Sequence, residues 1–239
     1  MLRRMCISLA SLVLAAGPAD ALDGTGNLHS AAALATVKTA NWSGYAAVGN
    51  YRRADATWVQ PAVTCTSGTQ YSSVWVGLNG YNSSTVEQIG TEADCSGGTP
   101  VYYGWYQYYP DTRHSFSDTV TPGDTMAAFV LYDGNSTYDV AIFDETADWS
   151  EVMVQSLPGT PSTSAEVVVG LPPCDSGCIQ PLANFGTVSV QQARFNYLPI
   201  SAANPAQVVM VNGAGQNKDT VSALSSDGTD FSTTWARAD

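Results

Sequence analysis

An all-β fold, a sandwich or barrel of many short strands, is what the sequence predicts. Three observations predict it. Short apolar or alternating runs recur from Asn41 to the end of the chain. Clusters of Gly, Pro, Asn, Asp and Ser separate them, with Asn79-Gly80, Gly97-Gly98, Asp133-Gly134, Asn212-Gly213 and Asp227-Gly228 as turn signals. No long run carries the helical period.

The elements follow in order. Arg3 and Arg4 precede an apolar stretch from Met5 to Ala16, and Ala19-Asp20-Ala21 supplies small residues for cleavage. Residues 1–21 are therefore expected to be a signal peptide and the protein to be secreted. Residues 22–40 are small and polar without strand alternation, and are expected to be a propeptide or loose arm. Residues 41–239 show no break in composition and no fixed repeat, so one domain is expected. Its predicted strands are Ser43–Val48, Arg53–Val59, Ser72–Leu78, Thr85–Thr91, Val101–Tyr109, Thr125–Tyr132, Thr137–Asp144 and Trp149–Ser156. Ala165–Gly170, Gly186–Val190, Phe195–Ile200, Ala206–Val211 and Phe231–Trp235 complete the set. No later stretch reaches the roughly 20 apolar residues of a membrane span.

Nine basic residues stand against 21 acidic ones, for a net charge of −12. That balance argues against a nucleic-acid partner, which calls for a basic footprint. Charged residues make up only 13% of the chain, and its pI is about 4.2. With few ion pairs to lose and less self-repulsion near its pI, the protein is suited to work in acid. Of five cysteines, Cys6 falls in the signal. The even number left, in an exported chain, points to disulfides. Three connectivities exist for four cysteines; Cys174 with Cys178 as a tight local loop, leaving Cys65 with Cys95, is the expected one. His29 and His114 lack ligand spacing to the cysteines, so no zinc site is expected.

Chemistry centres on Ser164-Ala165-Glu166-Val167-Val168-Val169-Gly170. Alternation puts Glu166 and Val168 on one face of this strand and Ala165, Val167 and Val169 on the other. A mid-strand acid either faces water or lines a cleft. The aromatic run Tyr102–Tyr109 places Tyr103, Trp105, Gln107 and Tyr109 on one face, which reads either as an exposed binding strip or as core packing. Ser-His-Asp chemistry lacks a suitable histidine and a nucleophile elbow. Asp175-Ser176-Gly177 has no second copy and no apolar strand before it. What remains is carboxylate chemistry, with Gln88, beside Gly90 on the apolar side of its strand, as partner for Glu166.

Seven segments, in order, resemble the glutamic peptidases, the eqolisin or G1 family. They are Asn41-Trp42-Ser43-Gly44-Tyr45, Ala56-Thr57-Trp58-Val59-Gln60-Pro61, Trp75-Val76-Gly77-Leu78-Asn79-Gly80, Glu87-Gln88-Ile89-Gly90, Trp105-Tyr106-Gln107-Tyr108-Tyr109-Pro110, Ser164-Ala165-Glu166 and Ala183-Asn184-Phe185-Gly186-Thr187-Val188. The resemblance implies two large antiparallel sheets, concanavalin A-like or jelly-roll, with a cleft on the concave face of one. It implies a secreted endopeptidase of acid pH, insensitive to pepstatin, acting on protein or peptide substrates without metal or other cofactor. It carries the catalytic pair onto Gln88 and Glu166. Substrate-binding roles pass to Trp75, Asn79, Glu92, Gln107 and Tyr109. Departures are Asn79 and Glu92 where the family has aspartates, Gln107 for a glutamate, Tyr108 and Val167 for tryptophans, and Gly170 for a glutamate. Nothing in the sequence signals oligomerisation, so a monomer is expected.

Two other readings use the same residues. A glycosidase would need a second carboxylate roughly 5–10 Å from Glu166, with Glu92 the better-facing candidate. A lectin-like module would use the aromatic strip without catalysis.

Overall fold

A computed structural model describes residues 35–239 apart from 82, 161 and 173–178. The expected signal peptide, residues 1–21, and the expected Cys174–Cys178 bridge lie outside the described residues. The strands are β1 (Thr36–Thr39), β2 (Trp42–Val48), β3 (Arg53–Val59), β4 (Ser73–Leu78), β5 (Val86–Ser96), β6 (Thr99–Tyr109), β7 (His114–Ser115) and β8 (Thr125–Tyr132). They continue as β9 (Thr137–Asp144), β10 (Trp149–Ser156), β11 (Ser164–Gly170), β12 (Thr187–Phe195), β13 (Leu198–Pro199), β14 (Ala206–Met210), β15 (Asp219–Val221) and β16 (Phe231–Trp235). A 3-10 turn covers Ile200–Ala203.

One sheet runs β1-β14-β2-β11-β4-β5-β6-β7; the other runs β10-β9-β8-β3-β12-β16-β15, with β13 beside β12. The strands pair antiparallel except for β1, which lies parallel to β14. The sheets stack through alternate residues. Val74, Val76 and Leu78 of β4 and Val167 of β11 meet Trp58 of β3, Met126 of β8 and Ile142 of β9 in one buried core. Polar ties cross it, among them Trp58 Nε1 donating to Thr91 Oγ1 at 3.0 Å and Asn79 Nδ2 donating to Tyr138 Oη at 3.1 Å.

The β-sandwich prediction holds, and β3, β8, β9, β10 and β16 match their expected bounds. Two differences stand out. Thr36–Thr39 is an edge strand within the span expected to be a loose arm; an edge strand with one half-buried face leaves little apolar signal. Asn79-Gly80 does not close a two-residue hairpin; it opens a longer loop before Val86. The tight hairpin is Gly97-Gly98 between β5 and β6, where both residues take positive φ (59° and 86°). The expected Cys65–Cys95 disulfide is formed, tying the end of β5 to the segment before β4.

Candidate active site

The face of the first sheet turned away from the core carries the site. Register aligns Ala46, Glu166, Gly77, Gln88 and Gln107 in one row across β2, β11, β4, β5 and β6. Directly opposed residues of antiparallel strands point to the same face, so Glu166, Gln88 and Gln107 stand side by side with Gly77 between the first two. Two strand spacings put the Glu166 and Gln88 backbones roughly 10 Å apart, a gap two long side chains can close over a glycine. A Cβ at Gly77 would lie 2.8 Å from Trp75 Cζ3 and 3.2 Å from Glu166 Oε1.

Glu166 is fully buried. Its Oε1 accepts the Gly80 backbone N–H at 2.7 Å, and among the described residues its Oε2 has no hydrogen-bond partner. Burial pushes its carboxyl up to about 7, against the Gly80 N–H and the Ser164 hydroxyl, which favour the carboxylate. The loop following β4 thus covers Glu166 and supplies a donor to it. A Cβ at Gly80 would meet Trp42 Cη2 at 2.7 Å and Glu166 Oε1 at 2.8 Å, so a larger residue has no room there. Gln88 is held from the other side. Its Nε2 donates to Gln107 Oε1 at 2.8 Å, and Gln107 Nε2 donates to the Asp111 carbonyl at 2.8 Å. One N–H of the Gln88 amide is used in this chain, which leaves the second to face the cleft.

That cleft has a volume of about 340 Å³ and is lined by Trp42, Trp75, Val86, Gln88, Gln107, Tyr109 and Arg113, with Ser83 to Thr85 along one wall. Trp75 packs edge-on to Trp42 with ring centroids 4.9 Å apart. Its indole lies over Gly170, where a Cβ would come within 2.5 Å of Nε1. The departure at Gly170 therefore has a steric reason: a glutamate there would displace Trp75.

Trp75, Gln107 and Tyr109 line the cleft. Tyr109 is 42% exposed, whereas Trp105 is fully buried and Tyr103 half-buried, so the run is not an exposed aromatic strip. Two expected substrate-binding residues do not line the cleft. Asn79 takes a positive φ of 78° as β4 ends, which turns its side chain toward the core. There it is buried, donating to Glu87 Oε2 at 2.5 Å and accepting the Thr163 N–H at 2.8 Å. Glu92 is on the cleft face but buried beneath Arg113, whose Nη1 it accepts. Burial holds its carboxyl well above the usual range; Arg113 opposes this, and Asp94 beside it adds to it. Residues that the sequence reading did not single out are Trp42, the Gly80 N–H and Arg113. Arg113 stacks over the Trp105 ring at 3.8 Å. Its only sequence signal was a charge next to His114 in a turn-like stretch. Among the described residues no group of three or more His, Cys, Asp or Glu is arranged to hold a metal ion.

Residues 40–235 match the Peptidase A4 family. The chain belongs to this family, the glutamic peptidases or eqolisins. Aspergillopepsin-2 of Aspergillus niger is 28% identical over 114 residues, which is 38% of this chain and 40% of that protein. The match thus spans less than half the length of that curated relative. Scytalido-glutamic peptidase, solved with a transition state analog inhibitor, superposes with a TM-score of 0.71 at 21% identity, over 82% of this chain and 98% of that one. Aspergilloglutamic peptidase from Aspergillus niger gives 0.59 at 22% identity, over 70% and 99%. At these identities the likeness is one of fold. Among the described residues no helix of this peptidase A4 family member is long and apolar enough to cross a membrane.

Proposed function

We propose that the protein is a secreted endopeptidase that hydrolyses peptide bonds with a Gln88–Glu166 pair, in acid and without sensitivity to pepstatin. One observation carries the reading: the shared row in which a buried glutamate with a free oxygen and an anchored glutamine flank a glycine, the glutamine lining the cleft and the glutamate lying beneath Gly80 of its wall. Glu166, as carboxylate, takes a proton from a water held between it and Gln88. The Gln88 N–H not used by Gln107 donates to the developing oxyanion. Glu166, now protonated, passes its proton to the leaving amine. A glutamine does not titrate, so Glu166 alone sets the acid–base behaviour of the pair. Trp42, Trp75 and Val86 offer an apolar wall for substrate side chains. Export rests on the N-terminal sequence, and a propeptide or loose arm within residues 22–40, ahead of β1, on its composition.

The rival readings find less support. Glu92 is four residues from Gln88 on β5, about 13 Å along the strand, and is tied to Arg113. The aromatic strip that a lectin would use is mostly buried.

The test is hydrolysis of a denatured protein from pH 2 to 7 with pepstatin present, with the wild type and Glu166→Gln side by side. Pepstatin-resistant cleavage that the variant loses is expected. Cleavage retained by correctly folded Glu166→Gln, or none by the wild type at any pH, would overturn the reading.

A further inference from the structure

Among the described residues Arg113 is the one charged side chain lining the cleft, in a chain with 9 basic residues against 21 acidic. It is also held still. Its guanidinium lies over Trp105 at 3.8 Å, its Nη1 donates to Glu92, and its side chain is 22% exposed. A guanidinium carries five N–H donors in a planar fork, and stacking uses its face, not its edge. With one donor on Glu92, further N–H groups remain for the cleft. Pre-ordering by Trp105 and Glu92 lowers the entropic cost of using them. Trp105 pairs with Gly90 in the row adjacent to Gln88 and Gln107, about 7 Å along the strands. A group bound by Arg113 would thus sit within one or two residues of the bond cut.

We infer that Arg113 is a specificity-determining residue that receives a carboxylate of the peptide substrate. This rests on the peptidase reading. The carboxylate has two sources, an Asp or Glu side chain near the scissile bond or the C-terminus of a short peptide. Glu92, Asp94 and Tyr103 are the titratable groups packed around Arg113 on its sheet side. Glu92 already takes one donor, so the substrate carboxylate shares the guanidinium with it and does not replace it.

The experiment uses peptides of one sequence that carry Glu or Gln at each position from three before to three after the scissile bond. Each is made with a free and with an amidated C-terminus. The ratio of kcat/KM for Glu over Gln, or for free over amidated, is compared between wild type and Arg113→Gln at pH 5.5. A charge-assisted hydrogen bond predicts a wild-type ratio on the order of tenfold at one position or at the terminus. It falls toward one in Arg113→Gln and is partly kept in Arg113→Lys. A Glu-over-Gln ratio assigns the side chain, and a free-over-amidated ratio the terminus. A wild-type ratio near one throughout, or the same ratio in Arg113→Gln, overturns the proposal. Should Arg113→Gln not fold, the wild type decides alone. Its ratio must decline as pH falls below the peptide carboxyl's own pKa, about 4.3 for Glu and 3.5 for a terminus. A preference that persists at pH 2.5 overturns the proposal. If the wild type cleaves no peptide, the peptidase reading fails separately, and calorimetric binding of the Glu and Gln peptides to Glu166→Gln still reads the Arg113 contact.

Discussion

At the scale of single residues, the site depends on what is missing between Glu166 and Gln88. Gly77→Ala would put a methyl against Trp75 and the Glu166 carboxyl, so we expect kcat to fall at least tenfold while the circular dichroism of the folded protein is kept. Unchanged kcat would mean that the two groups do not meet over Gly77. The raised Glu166 carboxyl makes a second prediction. A base must be ionised, so kcat/KM should rise with pH on an acid limb set by Glu166. Its apparent pKa should lie between the ordinary glutamate value of about 4.3 and the buried value of about 7, because water admitted to the cleft relieves some desolvation. A pH–rate profile that still rises down to pH 2 would exclude Glu166 as the base. Alternation set the faces within each strand and the family resemblance paired Gln88 with Glu166, but the register that puts them in one row needs the assembled sheet. Asn79 was misplaced because one positive φ, invisible to a periodicity argument, turns it into the core. The Gly80 N–H was missed because a backbone donor has no side-chain signature.

At the scale of the elements, β5 does two tasks. Its outer face carries Gln88 and Glu92, and its inner face carries Glu87 into the core. Burial raises the Glu87 carboxyl to about 8; Asn79, as hydrogen-bond donor, acts against this, and Glu166 adds to it. Between about 4.5 and 8 the folded state therefore holds a proton that the unfolded state releases, and stability declines with pH across that window. Gln is a fixed mimic of the protonated form. Glu87→Gln should melt at about the same temperature as the wild type at pH 4 and a few degrees higher at pH 7. An equal pH slope in both proteins would show that Glu87 does not titrate there. The long strands were legible because apolar inner faces alternate cleanly. Edge strands β1, β7 and β15 were not, since few of their residues are buried. The β1–β14 pairing places Thr36–Thr39 within the first sheet.

At the scale of the whole molecule, seven carboxyls withdrawn from water shift in one direction. Asp55, Glu87, Glu92, Asp94, Asp124, Glu166 and Asp219 are all raised, in each case chiefly by burial. A carboxyl raised on folding stabilises the protein fully below its unfolded pKa and loses that contribution as pH climbs through the folded value. The exposed Asp227 shifts the other way, through its Ser225 and Thr229 hydrogen bonds. The net charge of −12 adds self-repulsion as pH moves above the pI of about 4.2. Thermal unfolding followed from pH 3 to 8 should give its highest Tm near pH 4 and a steady fall toward neutrality. A Tm that rises from pH 4 to 7 would refute this assignment of buried, protonated acids. Activity that needs an ionised Glu166 and a fold that favours protonated acids overlap in mild acid. The acidic composition hinted at this range from the sequence, but burial, which sets the individual shifts, required the two sheets to be stacked.

The central claim is that Gln88 and Glu166 act as one unit on one water. It is tested most directly by a double-mutant cycle of Gln88→Ala, Glu166→Gln and the two combined, read as kcat on one peptide. Gln88→Ala should lower kcat by about 10²–10³, the usual loss of an oxyanion donor. Glu166→Gln should lower it further, and the combined variant should be no slower than Glu166→Gln alone. Losses that multiply, or folded single variants within a few-fold of wild type, would contradict the assignment.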